Sequence, residues 1–244
     1  MSITLDDCAL DVGDVLEHAG LSDTPVDFLC WSMGTMVCLE MARLALVKDE
    51  AAAKELQQQR QDRPWRMFLL NPTTGNTLQS VFQPVLRWPL SIGRVWGGMV
   101  KGLIAFLRPL VDSHEILWNA VKWGVSDNAG FYFFLQAFAF VAGFPPTQPS
   151  YFMAYLNDGF RSRLGGQHLL DHIVLLDASL QTASLAQLKH EATIVVTLPD
   201  VLTGWYHGTL IGHSMHKSTL HTSWLGSHFL LIEWPEYVAD MIAA

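Results

Sequence analysis

Charge is scarce in this sequence, and the balance is acidic. Only 16% of the 244 residues are Asp, Glu, Lys or Arg, and the formal net charge is −8. A surface that binds nucleic acid through phosphates needs an excess of basic residues, so this balance argues against one. Half of the residues are hydrophobic, which is enough for a large core. The length predicts one large domain, or one domain with an insertion.

Cysteine is also sparse, and so are signals for export. Cys8, Cys30 and Cys38 form an odd number and lack the spacing of metal ligands. We interpret them as reduced thiols of an intracellular protein, and we expect no metal on them. The N-terminus has no basic segment followed by an apolar run. We therefore predict no secretory signal and a cytoplasmic location.

Long apolar runs are missing, with one exception. Residues 129–144 carry no charge and include one glutamine, Gln136, before Pro145-Pro146. The run is short for a membrane span, so we predict a buried or substrate-facing helix. Two alternatives stay open. One is a transmembrane helix, and the other is contact of residues 91–107 and 129–144 with a membrane surface.

Short apolar segments separated by helical patterns predict an α/β fold with a mostly parallel sheet and flanking helices. The predicted strands are Phe28–Trp31, Trp65–Leu70, Ala192–Leu198 and Thr219–Trp224. A helix that ends near Val47 joins the first two strands in a right-handed βαβ unit. The other helices of the core are predicted near Asp7–Ala19, Tyr206–Met215 and Glu233–Ala243.

Residues 76–167 interrupt this alternation. They are rich in Trp, Phe, Gly and Pro, and show helical apolar runs near Ser91–Leu107, Ser113–Val125 and Ala129–Val141. The segment is too long for a loop. We predict a helical cap or lid here, inserted into an α/β core formed by residues 1–75 and 168–244. An amphipathic helix is expected within residues 168–188.

A single serine stands between the first strand and its helix. Ser32 has Cys30 and Gly34 two residues to either side, which is the pattern of a nucleophile elbow. Such a turn is crowded, so we expect the flanking residues to be small. The helix start behind the serine would supply backbone N–H groups to an oxyanion, with Met33 as donor. The alternative is an ordinary serine N-cap.

Three polar residues each follow a predicted strand: Ser32, Asp200 and His228. In parallel α/β sheets, ligands bind at the carboxyl ends of the strands. Ser32 would attack an acyl carbonyl, and His228 would take its proton and pass it to the leaving group. Asp200 would hold the imidazole in the required tautomer.

These segments resemble the α/β-hydrolase superfamily of the serine-hydrolase type. The similarity lies in Leu29-Cys30-Trp31-Ser32-Met33-Gly34, Phe68-Leu69-Leu70-Asn71-Pro72, Ile194–Thr203 and Ser227–Glu236. The order Ser, Asp, His agrees with that family. The resemblance implies hydrolysis of esters, or less often amides, without a cofactor. The chain departs from the family pattern at Cys30, where a glycine is usual, and at Pro199 beside the acid.

Other roles of the polar residues stay open as alternatives. Asp177 is the alternative acid, although it lies in a helical pattern. Glu233 is expected to cap or brace the last helix. The histidines His207, His213, His216 and His221 lie close in sequence, and His213 and His216 could share a helix face as metal ligands, but further ligands would be needed.

The resemblance also exposes a gap. Only 31 residues precede Ser32, too few for the strands and the second oxyanion loop of a complete family member. The first strand would then be an apolar exposed edge. Three explanations compete: a truncated active hydrolase, a degenerate inactive one, or a partner chain that supplies the strands.

Three functions follow as hypotheses. The first is a serine esterase, carboxylesterase- or lipase-like, that acts on a small hydrophobic ester through Ser32, Asp200 and His228. The second is an inactive hydrolase-like scaffold or interaction protein. The third is a membrane-associated protein. An oligomer is also expected as a way to cover the edge strand.

Overall fold

The structure is a computed structural model of the chain. It describes residues 4–21, 24, 26–52, 65–79, 90–113, 115–125, 137, 167, 171, 175, 182–200, 202–224 and 226–243.

Within these residues, four parallel strands form one sheet in the order β1-β2-β3-β4. They are β1 Phe28–Trp31, β2 Arg66–Leu70, β3 Glu191–Thr197 and β4 Ser218–Ser223. One register row runs across the sheet through Cys30, Leu69, Ile194 and Leu220. The apolar runs of β2 and β3 fit their central positions, where both faces of a strand are buried. The predicted α/β fold with a parallel sheet is confirmed.

Helices flank the sheet and fill the connections between its strands. The helix α1 begins after Thr4, whose side chain forms a capping box with Asp7. The helices are α1 Leu5–His18, α2 Met33–Ala52, α3 Leu90–Ser113, α4 Glu115–Val125, α5 Thr182–Leu185, α6 Trp205–Ser214, α7 Leu230–Glu233 and α8 Pro235–Ala243, with a 3₁₀ turn at Thr77–Gln79.

The core lies on both faces of the sheet. Because neighbouring side chains of a strand point to opposite faces, Leu69 packs with Leu39 of α2 and Ile211 of α6, whereas Leu70 packs with Val238 of α8. All five are buried. Full burial of such a side chain stabilises the fold by roughly 1.5–3 kcal/mol. This double layer fixes the carboxyl ends of the strands, where the predicted site residues follow.

Two helix boundaries differ from the sequence prediction. The helix α2 continues past Val47 to Ala52, as a helical extension into the charged segment that begins at Lys48. The closing helix α8 begins at Pro235, two residues after the predicted start at Glu233, because Pro235 has no N–H to donate and begins a new helix. The short helix α7 before it was not predicted. Trp234 ends α7, and its N–H bonds to the Leu230 carbonyl.

In the predicted insertion, the described residues are helical. Helix α3 packs on the 3₁₀ turn through Gly97, where a Cβ would lie only 2.8 Å from Gln79 Cγ. The predicted run at 129–141 lies outside the described residues apart from Ala137, and the predicted helix at 168–188 is described only in part. Among the helices that the structure describes, none combines the length and apolarity that crossing a membrane requires.

Candidate active site

Ser32 occupies the turn between β1 and α2. Its φ is 54°, a left-handed conformation that costs a non-glycine residue about 1–2 kcal/mol. Its N–H donates to the Leu70 carbonyl at 3.0 Å, so pairing with β2 continues until α2 begins at Met33. The structure thus places Ser32 on a sharp, strained strand-to-helix turn, as a nucleophile elbow requires.

Small residues were expected on both sides of this turn, at Cys30 and Gly34, because the turn should be crowded. The surroundings are crowded at Cys30 only. Cys30 is buried in the core. Gly34 is not confined: a Cβ built on it would meet none of the described atoms within 4 Å. The expectation that crowding requires a small residue is therefore wrong at Gly34, as far as its described neighbours are concerned.

Asp200 and His228 form a buried pair. The Nδ1 atom of His228 lies 2.8 Å from Oδ2 of Asp200, and the two residues are only 5% and 4% exposed. The other carboxylate oxygen, Oδ1, accepts the N–H groups of Leu202 and Thr203, at 2.7 and 3.1 Å. The Thr203 hydroxyl donates to Oδ2 at 2.7 Å. Pro199 leaves the carboxylate in place to meet the imidazole.

The surroundings of Asp200 favour its charged form. Burial raises the pKa of the Asp200 carboxyl, but attraction to His228 and hydrogen bonds from His228 and Thr203 outweigh it, so the pKa lies below its ordinary value. A carboxylate facing Nδ1 selects the tautomer that carries its proton there. Nε2 of His228 is then the atom that can accept a proton.

Trp31 links the serine turn to the histidine loop. Its indole N–H donates to the His228 carbonyl at 2.7 Å, and its ring centroid lies 5.6 Å from that of His228. Since Ser32 follows Trp31 directly, the turn and the loop are held side by side. Among the described residues, no hydrogen bond joins the Ser32 hydroxyl to His228. Such contacts are often long without a bound substrate.

Asn71 was not among the predicted site residues, because in the sequence it is simply the first residue after a predicted strand. It is 2% exposed, with φ at 42°. Its Nδ2 donates to the carbonyls of Ser227 and His228 at 2.9 and 3.2 Å. Its Oδ1 accepts the N–H and hydroxyl of Thr197 at 2.8 and 3.0 Å. One amide thus joins the end of β3 to the histidine loop.

The Asp200 turn is tied to the same point, because the Thr203 hydroxyl shares its single proton between Oδ2 of Asp200 and the Asn71 carbonyl, which lies 3.1 Å away. The available signal was an Asn before a Pro at the end of a buried strand. Asn tolerates the left-handed region better than most residues. The sequence gives no partner for its amide.

Glu233 braces the histidine loop from the other side. Its Oε2 accepts the Ser227 N–H at 2.6 Å, and its Oε1 accepts the Ser227 hydroxyl at 2.8 Å. The Ser227 hydroxyl in turn accepts the N–H of Phe229 at 3.2 Å. The brace therefore holds the residues on both sides of His228.

The remaining histidines have other surroundings. His207 is buried, and its Nδ1 lies 2.7 Å from the Thr74 hydroxyl. His213 and His216 are exposed, and α6 ends at Ser214, so the two histidines do not share a helix face. Within the described ranges, no three His, Cys, Asp or Glu residues are grouped to hold a metal. Asp177, the alternative acid, lies outside those ranges.

Met33, the predicted oxyanion donor, is the first residue of α2, in the turn whose N–H groups lack partners inside the helix. The strand before it, β1, is at the edge of the described sheet. Leu29 on β1 is 43% exposed, as expected for an apolar edge.

Solved structures share this architecture, although no protein-family model and no curated protein matches the sequence. MGS-M2, an α/β hydrolase from a Medee basin deep-sea metagenome library, matches with a TM-score of 0.58 and 14% identity over 99% of this chain and 71% of that one. An esterase from Exiguobacterium antarcticum matches with a TM-score of 0.56 and 13% identity over 100% and 74%. An enol-lactonase from Burkholderia xenovorans LB400 matches with a TM-score of 0.52 and 14% identity over 99% and 72%. The chain has the α/β-hydrolase fold.

Proposed function

We propose that the protein is a serine hydrolase that cleaves esters through an acyl-enzyme on Ser32. The observation that carries the proposal is the buried Asp200–His228 pair, held beside a strained serine turn by Trp31. A buried carboxylate that orients a histidine beside a serine is the arrangement that activates the serine hydroxyl.

In the proposed reaction, Nε2 of His228 takes the proton of the Ser32 hydroxyl as its oxygen attacks the ester carbonyl. Asp200 stabilises the imidazolium that forms, and the Met33 N–H stabilises the developing oxyanion. The imidazolium then protonates the leaving alcohol. Water, activated by His228, releases the acid and restores Ser32.

The substrate class is proposed to be small esters with a hydrophobic acyl or alcohol part. The support is the composition of residues 76–167, which are rich in Trp and Phe, because a cap of that composition would supply apolar walls, and such walls favour apolar ligands. Two of the similar structures are named as an esterase and an enol-lactonase, both names for catalysts of ester-bond cleavage. At this level of identity, those names support the proposal without deciding the substrate.

Hydrolysis of p-nitrophenyl esters, from acetate to decanoate, tests the proposal. We expect turnover by the wild type that disappears in Ser32→Ala and persists in Ser214→Ala. Ser214 is a matched serine whose hydroxyl only donates to the Leu210 carbonyl of its own helix. Equal turnover by the wild type and Ser32→Ala would contradict the proposal.

The second candidate function is an inactive hydrolase-like scaffold. It is favoured by the missing Ser32–His228 hydrogen bond among the described residues and by a single proposed oxyanion donor. Loss of one such donor typically costs about 10²–10³ in rate. A folded wild type without turnover on any of these esters would support the scaffold.

A further inference from the structure

Helix α3 carries an exposed apolar stripe. Ile92, Val95, Met99, Leu103 and Phe106 are each 52–66% exposed. At 3.6 residues per turn, their spacing places them within about a quarter of the helix circumference. Exposed apolar side chains scattered singly are ordinary, but a continuous row marks an interaction surface.

The stripe is not the face by which α3 packs on the protein. That face holds Gly97, which abuts the 3₁₀ turn, and the buried Ile104. Next to the stripe, Gly98, Gly102 and Ala105 are also exposed, and they widen the apolar strip without interrupting it with a polar group. The strip thus offers a partner no side-chain hydrogen-bonding group.

Basic residues border this strip. Arg94 and Lys101 are exposed, and Arg108 pairs with Asp171. The helix α3 contains three basic residues, Arg94, Lys101 and Arg108, and one acidic residue, Asp112, although the whole chain carries a net charge of −8. The helix is therefore a local basic region of an acidic protein, which orients it towards an anionic surface.

We propose that α3 docks on the surface of an anionic lipid bilayer. The stripe enters the boundary between head groups and acyl chains, while Arg94 extends to the lipid phosphates. A second copy of the chain is a poorer occupant, since packing the same face of two helices brings their basic borders together. The proposal does not depend on the chemistry of Ser32.

Co-sedimentation of the full chain with vesicles tests the proposal. The vesicles are phosphatidylcholine alone, and phosphatidylcholine with 30% phosphatidylserine. Val95→Asp is matched by Val15→Asp, since both valines lie on helices and both are 66% exposed. We expect the wild type and Val15→Asp to bind the anionic vesicles, and Val95→Asp to bind at least fivefold more weakly. Arg94→Glu should weaken binding too, and added salt should weaken that of the wild type.

Several results would overturn the proposal. One is a folded wild type that stays in the supernatant with anionic vesicles. Another is equal binding by Val95→Asp and Val15→Asp. A third is a concentration-dependent dimer in size-exclusion chromatography that Val95→Asp disrupts, without any lipid binding. If Val95→Asp does not fold, the binding of Arg94→Glu to the anionic vesicles decides, and binding equal to that of the wild type would overturn the proposal. Ser32→Ala should retain vesicle binding even if it abolishes ester turnover, so the two proposals can fail separately.

Discussion

Replacement of Asn71 by alanine probes the connection between the Asp200 turn and the histidine loop. The change removes four side-chain hydrogen bonds, two to the carbonyls of Ser227 and His228 and two from Thr197. Some partners keep a second bond: the Thr197 hydroxyl still reaches Ser227, and the Trp31 indole still reaches His228. The Thr197 N–H loses its Asn71 partner inside the core.

The magnitude follows from these contacts. Each buried hydrogen bond contributes a net 0.5–1.5 kcal/mol, by the usual rough scale, so four give about 2–6 kcal/mol. The positive φ of Asn71 adds a penalty for alanine of about 1 kcal/mol. Asn76 is a matched control, since its φ is also positive, at 54°. It is exposed, with one side-chain bond, from Gln79, at 3.2 Å.

Urea unfolding of Asn71→Ala and Asn76→Ala, followed by circular dichroism, measures the difference. The penalty for the backbone conformation is common to both, so the difference isolates the buried hydrogen bonds. We expect Asn71→Ala to be less stable than Asn76→Ala by at least about 2 kcal/mol. Asn71→Asp should also lose ester turnover, because a carboxylate can accept from Thr197 but cannot donate to the histidine loop. Equal stability of the two alanine variants would refute the reasoning.

Three further predictions concern the sheet and the site. In a thermal melt, Gly208→Ala should lose roughly 1–3 kcal/mol of stability, because its Cβ would overlap Val196 Cγ1. The control Gly212→Ala should be nearly neutral in the same melt, because its Cβ meets only contacts of 3.6 Å or more. The pKa of Asp200 in the folded protein lies below its ordinary 3.8. The stabilisation by its carboxylate is therefore present above that value and is lost as the pH falls through the folded pKa. The difference in stability between the wild type and Asp200→Asn should shrink on acidification, and a constant difference from pH 7 to 3 would contradict this. Glu233→Gln replaces one of the two carboxylate oxygens that accept from Ser227 with an NH₂ group, which cannot accept, so we expect a loss of about 1 kcal/mol and slower ester turnover, and unchanged kinetics would argue against the brace.

Much of the sheet could be predicted from the sequence because its signal is local. The apolar runs at Phe28–Trp31 and Arg66–Leu70 are bounded by polar or turn residues, and each strand lies within one residue of its prediction. The start of α8 was missed by two residues for a local reason as well. Proline favours the first position of a helix, so Pro235 and not Glu233 marks the start of the closing helix.

The polar scaffold could not be predicted, because its partners are remote in sequence. Asn71 bonds to Thr197 across 126 positions and to Ser227 across 156. No periodicity encodes such a pairing, and it exists only once β2 and β3 are aligned. Asp200 and His228 were predicted from their places after strands, but the Thr203 and Glu233 contacts that hold them needed the folded turns.

Labelling with a fluorophosphonate tests the central claim most directly, since the reagent reacts with an activated serine and reports the modified residue by mass spectrometry. The account predicts stoichiometric labelling of Ser32 in the folded wild type, loss of labelling in Ser32→Ala and His228→Ala, and full labelling in Ser214→Ala. A folded wild type that takes up no label, or a label that persists in Ser32→Ala, would contradict it.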